Sequence, residues 1–168
     1  VWQKPAKGAP QYALHSWGEL KNYADIDQKA TSLTEAKQRE LIHGYYACTS
    51  YVDAQIGLLL DGLKQRGLDK NTIVVLWGDH GWKLGDHNSW GKMTNYNIDL
   101  RVPMIIRYPN QENRGAQTFA MTELVDMFPS LCELAGIDIP AYLQGSSFIP
   151  LCKEPDLPWK TATFSQFH

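Results

Sequence analysis

Residues 72–92 read TIVVLWGDHGWKLGDHNSWGK. The run from Thr72 to Trp77 is apolar, rich in β-branched residues and free of alternation, the pattern of a strand covered on both faces. It stops at Gly78, and Asp79-His80-Gly81 follows at once. Upstream, Leu41, Tyr45, Cys48, Val52, Ile56, Leu59 and Leu63 recur at spacings of three and four, which predicts one long helix over 32–66. Ser32 with Glu35 fits a capping box at its start, and Gly67 is placed to end it. Downstream, Pro103–Tyr108, PMIIRY, reads as a second short buried strand with its proline at the edge of the element. Helix, short turn and buried strand in that order predict an α/β domain, with helices flanking a mostly parallel sheet.

The remaining stretches carry weaker patterns. Residues 1–31 hold Pro5, Gly8, Pro10 and Gly18 and keep no period, so a loop-rich segment is expected there. Residues 79–101 are rich in Gly, Asn, Asp and Trp and read as one long loop. Asp126 is placed to cap a helix over 127–135, with Pro129 in its first turn and Gly136 at its end. From Pro140 the pattern fades. The expected organisation is a loop-rich segment 1–31, a domain over 32–151 and a tail 152–168.

With 168 residues, 43% hydrophobic and 20% charged, the chain is long enough to bury a core. A net charge of −2 gives no reason to expect nucleic acid or an anionic membrane as partner. No apolar run approaches the roughly 20 residues of a bilayer span. VWQKPAKGAP has no basic-then-apolar leader pattern. The three cysteines lack metal spacing and form no disulfide framework. Cys48 and Cys132 are expected as small core residues, and Cys152 as a tail residue.

Ligands of open α/β sheets bind at the carboxyl ends of strands, where Asp79 and His80 stand. Two readings remain open for them. Asp-His-Gly can be turn chemistry, the carboxylate bonding nearby amides and Gly78 and Gly81 easing the bend. It can also be an oxygen and a nitrogen donor for one metal ion. Lys92 is either a solvated lysine or a cation for a substrate anion. Asp86-His87 reads as structural, an Asx-type turn and a hydrogen-bonded histidine. Trp82 and Trp90 read first as packing anchors.

GDHGWKLGDHNSWGK resembles the segment of sulfatases that supplies two metal ligands and an active-site lysine, with the iduronate 2-sulfatase branch most similar. VDMFPSLCELAGIDIPAYLQGSSFIPL and YYACTSYVDAQIGLLLDGL are similar to further sulfatase segments in the same order. The resemblance covers most of residues 33–151. It implies an alkaline-phosphatase-like three-layer sandwich, present in part, and hydrolysis of sulfate esters of a sulfated carbohydrate. By it, Asp79 and His80 match metal ligands, His80 and Lys92 catalytic positions, and Lys92 and Trp82 substrate-binding positions. Calcium is the implied ion, and zinc the alternative that His80 suits. It also implies a secreted, periplasmic or lysosomal setting.

The family's nucleophile, a formylglycine made within Cys/Ser-x-Pro-x-Arg, has no counterpart: Cys48, Cys132 and Cys152 all lack that context. The family's Asp-Asp pair and Lys-x-x-His are also absent. The expectation is a piece of a sulfatase, inactive alone, that self-associates or meets a companion chain. A zinc-dependent phosphate-ester hydrolase of the same superfamily and a non-catalytic module of that fold are the rival readings.

Overall fold

A computed structural model describes residues 7–10 and 18–166. The chain divides into two compact units. One gathers the described residues up to Asp69 with Leu76–Met104; the other gathers Lys70–Val75 with Ile105–Gln166. Four strands and four α-helices are described: β1 Val74–Trp77, β2 Lys83–Leu84, β3 Trp90–Gly91, β4 Met104–Arg107, α1 Glu35–Gln65, α2 Asn97–Leu100, α3 Met127–Ala135 and α4 Ile149–Lys153. The division cuts β1 and β4, so each unit holds part of both.

In the first unit α1 runs for 31 residues. It begins later than the capping-box reading placed it. Thr34, with extended backbone, is the cap, and its hydroxyl accepts from Lys37 N at 3.3 Å. Glu35 is thereby the first helical residue and stands too early to reach back to Ser32. Gly67, at φ 68°, ends the helix: its amide donates to Lys64 O, and Leu68 N to Leu63 O, both at 3.0 Å.

The apolar stripe of α1 is real, but its cover is incomplete: Leu41, Ile42, Ile56 and Leu63 are half-buried, while Tyr45, Val52 and Leu59 are exposed. Leu33, Leu41 and Ile42 pack on a core of Leu20, Ile26 and Trp90. No residue of α1 is fully buried, and Cys48 is exposed, not in a core as its spacing suggested. The described part of 1–31 is turns and bends, and it nevertheless supplies two buried residues, Leu20 and Ile26. A short 3-10 turn at Leu20–Asn22 delivers one of two core residues that no periodicity marks. Residues 1–6 and 11–17 lie outside the described residues.

The expected strands form and pair with each other, β1 beside β4. Among the described residues neither has a second partner. Leu76 and Trp77 are 38% and 46% exposed, so the cover that an unalternating run predicts is incomplete here. The stretch 79–101 is not a plain loop. β2 and β3 form an antiparallel hairpin with Lys83 opposite Gly91 and Leu84 opposite Trp90. Two-residue strands are too short to show a period. No helix among the described residues is long and apolar enough to cross a membrane.

In the second unit α3 spans Met127–Ala135 and ends at Gly136, φ 67°, as the sequence indicates. Asp126 does not cap it through its side chain. That residue closes a preceding 3-10 turn, where its carboxylate accepts from Glu123 N at 2.9 Å and Ser146 N at 2.8 Å. The pattern does not fade after Pro140 either: Phe148, Ile149 and Leu151 are buried around α4. Ser130 ties α3 to this segment, donating to Asp126 O at 2.6 Å and accepting from Phe148 N at 2.9 Å. Gly145 must be glycine because a Cβ there would lie 2.1 Å from Val125 O. Cys132 is buried as expected, and Cys152 is partly buried.

Candidate functional site

The candidate site lies wholly in the first unit. Gly78 N donates to Pro103 O at 3.0 Å, after which the backbone leaves the strand. Asp79 is exposed and His80 half-buried. The Asp79 carboxylate makes no hydrogen bond or ion pair among the described residues. Turn chemistry would have it bonded to a nearby amide. Here it is exposed and makes no such bond among the described residues.

His80 Nδ1 lies 2.9 Å from Gly81 O. A carbonyl only accepts, so Nδ1 carries a proton, and in the neutral form of the ring Nε2 keeps its lone pair. Histidines that bind metals are commonly fixed in this way by a bond at the other nitrogen.

Gly81 serves closeness rather than an unusual dihedral, since it is not among the residues at positive φ. Its amide donates to Asp99 O at 2.6 Å, and a Cβ would fall 1.8 Å from Ile98 O. Only a residue without a side chain lets the segment after His80 lie against α2.

Lys92 follows β3. Its amide donates to Glu19 Oε2 at 3.3 Å, while its ammonium stands 5.9 Å from the centre of the Trp82 ring. Among the described residues no carboxylate pairs with that ammonium. The contact with Trp82 attracts the cation without neutralising it. Trp82 is half-buried and backed by Tyr45, ring centres 6.4 Å apart. Trp90 is the packing anchor that the sequence suggested. Asp86 accepts from Leu84 N at 3.3 Å, and His87 stacks on Tyr96 at 5.6 Å.

Sequence reasoning passed over the most buried charges of this unit. Lys83 and Asp99 are 0% and 1% exposed and form an ion pair. Thr94 joins them: its amide donates to Asp99 Oδ2 at 3.1 Å, its hydroxyl bonds the same oxygen, and Lys83 Nζ donates to Thr94 Oγ1 at 3.3 Å. The only signal was a lysine between Trp82 and Leu84, inside an otherwise apolar triplet. Among the described residues no group of three or more His, Cys, Asp or Glu side chains gathers as a complete metal site.

The profile of the sulfatase family matches residues 11–137. Iduronate 2-sulfatase of Homo sapiens is 29% identical over 177 residues, covering 88% of this chain and 32% of its own length. The chain thus spans about a third of that relative. A solved structure in complex with its substrate D-glucosamine-2-N,6-O-disulfate superposes with a TM-score of 0.66 at 33% identity, over 70% of this chain and 24% of the other. The phosphonate monoester hydrolase of Silicibacter pomeroyi superposes with a TM-score of 0.60 at 37% identity, over 65% and 22%.

Proposed function

Because the chain belongs to the sulfatase family and carries part of its α/β, alkaline-phosphatase-like fold, we propose that the protein carrying it hydrolyses sulfate esters of sulfated sugars. One observation carries the reading: among the described residues the Lys92 ammonium has no carboxylate partner, and it is held over Trp82, as a cation awaiting an anion would be. In the reaction Lys92 binds a sulfate ester oxygen. It then opposes the negative charge that grows on the bridging oxygen as the S–O bond breaks. Trp82 covers one side of that position and limits water.

Asp79 and His80 fit a divalent cation as part of its shell: a carboxylate unpaired among the described residues, and an imidazole whose Nδ1 is engaged by Gly81 O and whose Nε2 is left for a ligand. Calcium takes roughly six to eight donors, so most must come from elsewhere. Zinc would be better satisfied by the imidazole. The ion, once bound, would polarise the sulfate. Asp79 and His80 would hold it as part of its shell, and the His80 bond to Gly81 O sets the ring for that role. No cysteine here stands in a formylglycine motif, so the attacking group is proposed to lie beyond this chain. A sulfated uronate or hexosamine is the favoured substrate class, from the names of the relatives.

The phosphonate monoester hydrolase likeness favours a second reading, a phosphate- or phosphonate-type ester at the same anion position. The protein carrying this chain, expressed in full with calcium, would be assayed on an aryl sulfate, a sulfated uronate, an aryl phosphate and an aryl phosphonate. Sulfate esters are expected to turn over fastest. A clear preference for the phosphorus esters would replace the first reading with the second.

A further inference from the structure

Lys83 and Asp99 belong neither to the anion position nor to the metal donors, and their situation is costly. Taking two charges out of water is repaid only by good geometry, and apolar residues of similar size are often as stable. The pair also leaves Asp99 Oδ1 buried with no partner, a further expense. What the pair holds is specific. Asp99 lies in α2, Lys83 in β2, and Thr94 between β3 and α2. The three meet through Asp99 Oδ2. Asp99 is also the residue whose backbone oxygen receives the Gly81 amide, at 2.6 Å. The side chain that accepts Lys83 and the carbonyl that fixes Gly81 therefore belong to one residue. Gly81 O is in turn the partner of His80 Nδ1.

We propose that Lys83 and Asp99 are positioning residues: their buried ion pair fastens α2 against Gly81 and so sets the orientation of His80 and the turn that carries Asp79. The pair touches neither substrate nor ion. This rests on the sulfatase reading for its effect on turnover, but its effect on the turn stands alone. A pair of this kind offers one register: β2 cannot slide by a residue without turning Lys83 away from Asp99 and Leu84 into its place. An apolar contact would accept several arrangements.

The test uses the protein carrying this chain in full, as wild type, Lys83→Met, Asp99→Asn and Lys83→Met/Asp99→Leu. Asp99→Asn keeps the shape and guards against a Lys83→Met variant that fails to fold. Four quantities are read: Tm, amide hydrogen exchange across 79–84, half-saturation by calcium, and kcat with KM on the best sulfate ester. Both single variants are expected to speed exchange at the Gly81 amide about tenfold. They should raise the calcium half-saturation or lower kcat by about 10–100-fold, with a smaller change in KM. The apolar double variant should recover Tm without recovering Gly81 protection. Singles that lower Tm but leave Gly81 exchange and calcium binding at wild-type values would overturn the inference. So would a double variant that restores protection and turnover together. A wild-type protein with no sulfatase turnover would sink the functional reading alone, because the exchange and calcium arms still judge the pair.

Discussion

At the residue scale, Asp79 and Lys92 are separable. Among the described residues neither has an ion-pair partner, yet they differ in what they should hold. Asp79→Asn weakens a cation donor, so bound metal and turnover should fall together. Lys92→Ala leaves the donors intact and removes a charge that acts on the ester. Its kcat should drop by about 10²–10³-fold with metal content unchanged. Metal analysis beside rates on an aryl sulfate separates the two, and an Asp79→Asn protein with full metal and full rate would return that residue to turn chemistry. The sequence showed these two positions because an isolated polar cluster after a greasy strand is visible in one dimension. It hid Lys83 and Asp99, sixteen residues apart, because a buried lysine is spelled like a solvated one. Gly81 was legible as a needed glycine, but for the wrong reason: closeness to Ile98 O depends on α2, which the sequence read as loop.

At the scale of elements, the two strands and the two longer helices were readable, since each carries a local period or an unbroken apolar run. Caps were less so, because one residue of slippage changes which hydroxyl faces the helix. Thr34→Ala should cost about 1 kcal/mol and Ser32→Ala only a small fraction of that, measured by denaturant midpoint. Equal effects would restore the capping box. The hairpin and α4 were hidden because only tertiary contacts fix such short pieces.

In the second unit Lys160 Nζ lies 2.9 Å from Glu123 and 2.7 Å from Asp126, which is fully buried. The Lys160 hydrogen bond lowers the Glu123 pKa. For Asp126, burial pushes upward, but Lys160 and the amides of Ser146 and Glu123 together bring it below its ordinary value. Burial also pushes Lys160 down, and its two carboxylates bring it above its ordinary value. The carboxylates' stabilisation is present above their unfolded pKa values, about 4, and is lost as pH falls through the depressed ones. The lysine's is present below about 10.4 and is lost as pH rises through the raised value. Lys160→Met should therefore lower Tm more at pH 7 than at pH 2. An equal loss at both would make the contact one of packing alone.

At the scale of the whole molecule, the family was readable while the covering of its surfaces was not. Periodicity reports that α1 has an apolar face, not whether this chain supplies its cover. Tyr45, Val52 and Leu59 all lie on that face, and Leu59 is 66% exposed. A run of this kind, on a long stable helix, associates in water when nothing else is packed on it. One edge of both β1 and β4 is also without a partner among the described residues, a second route to association. The chain by itself is expected to self-associate at micromolar concentration and above, and to bind an apolar dye. Val52→Lys/Leu59→Lys should reduce both, because each lysine places a hydrated charge in the stripe without touching the Leu20–Ile26–Trp90 core. Sedimentation velocity across a concentration series, with dye fluorescence on the same samples, reads the two effects. A wild-type chain that stays monomeric throughout and binds no dye would show the α1 face to be adequately solvated as it stands. Association unchanged in the double lysine variant would move the contact from α1 to the open strand edges.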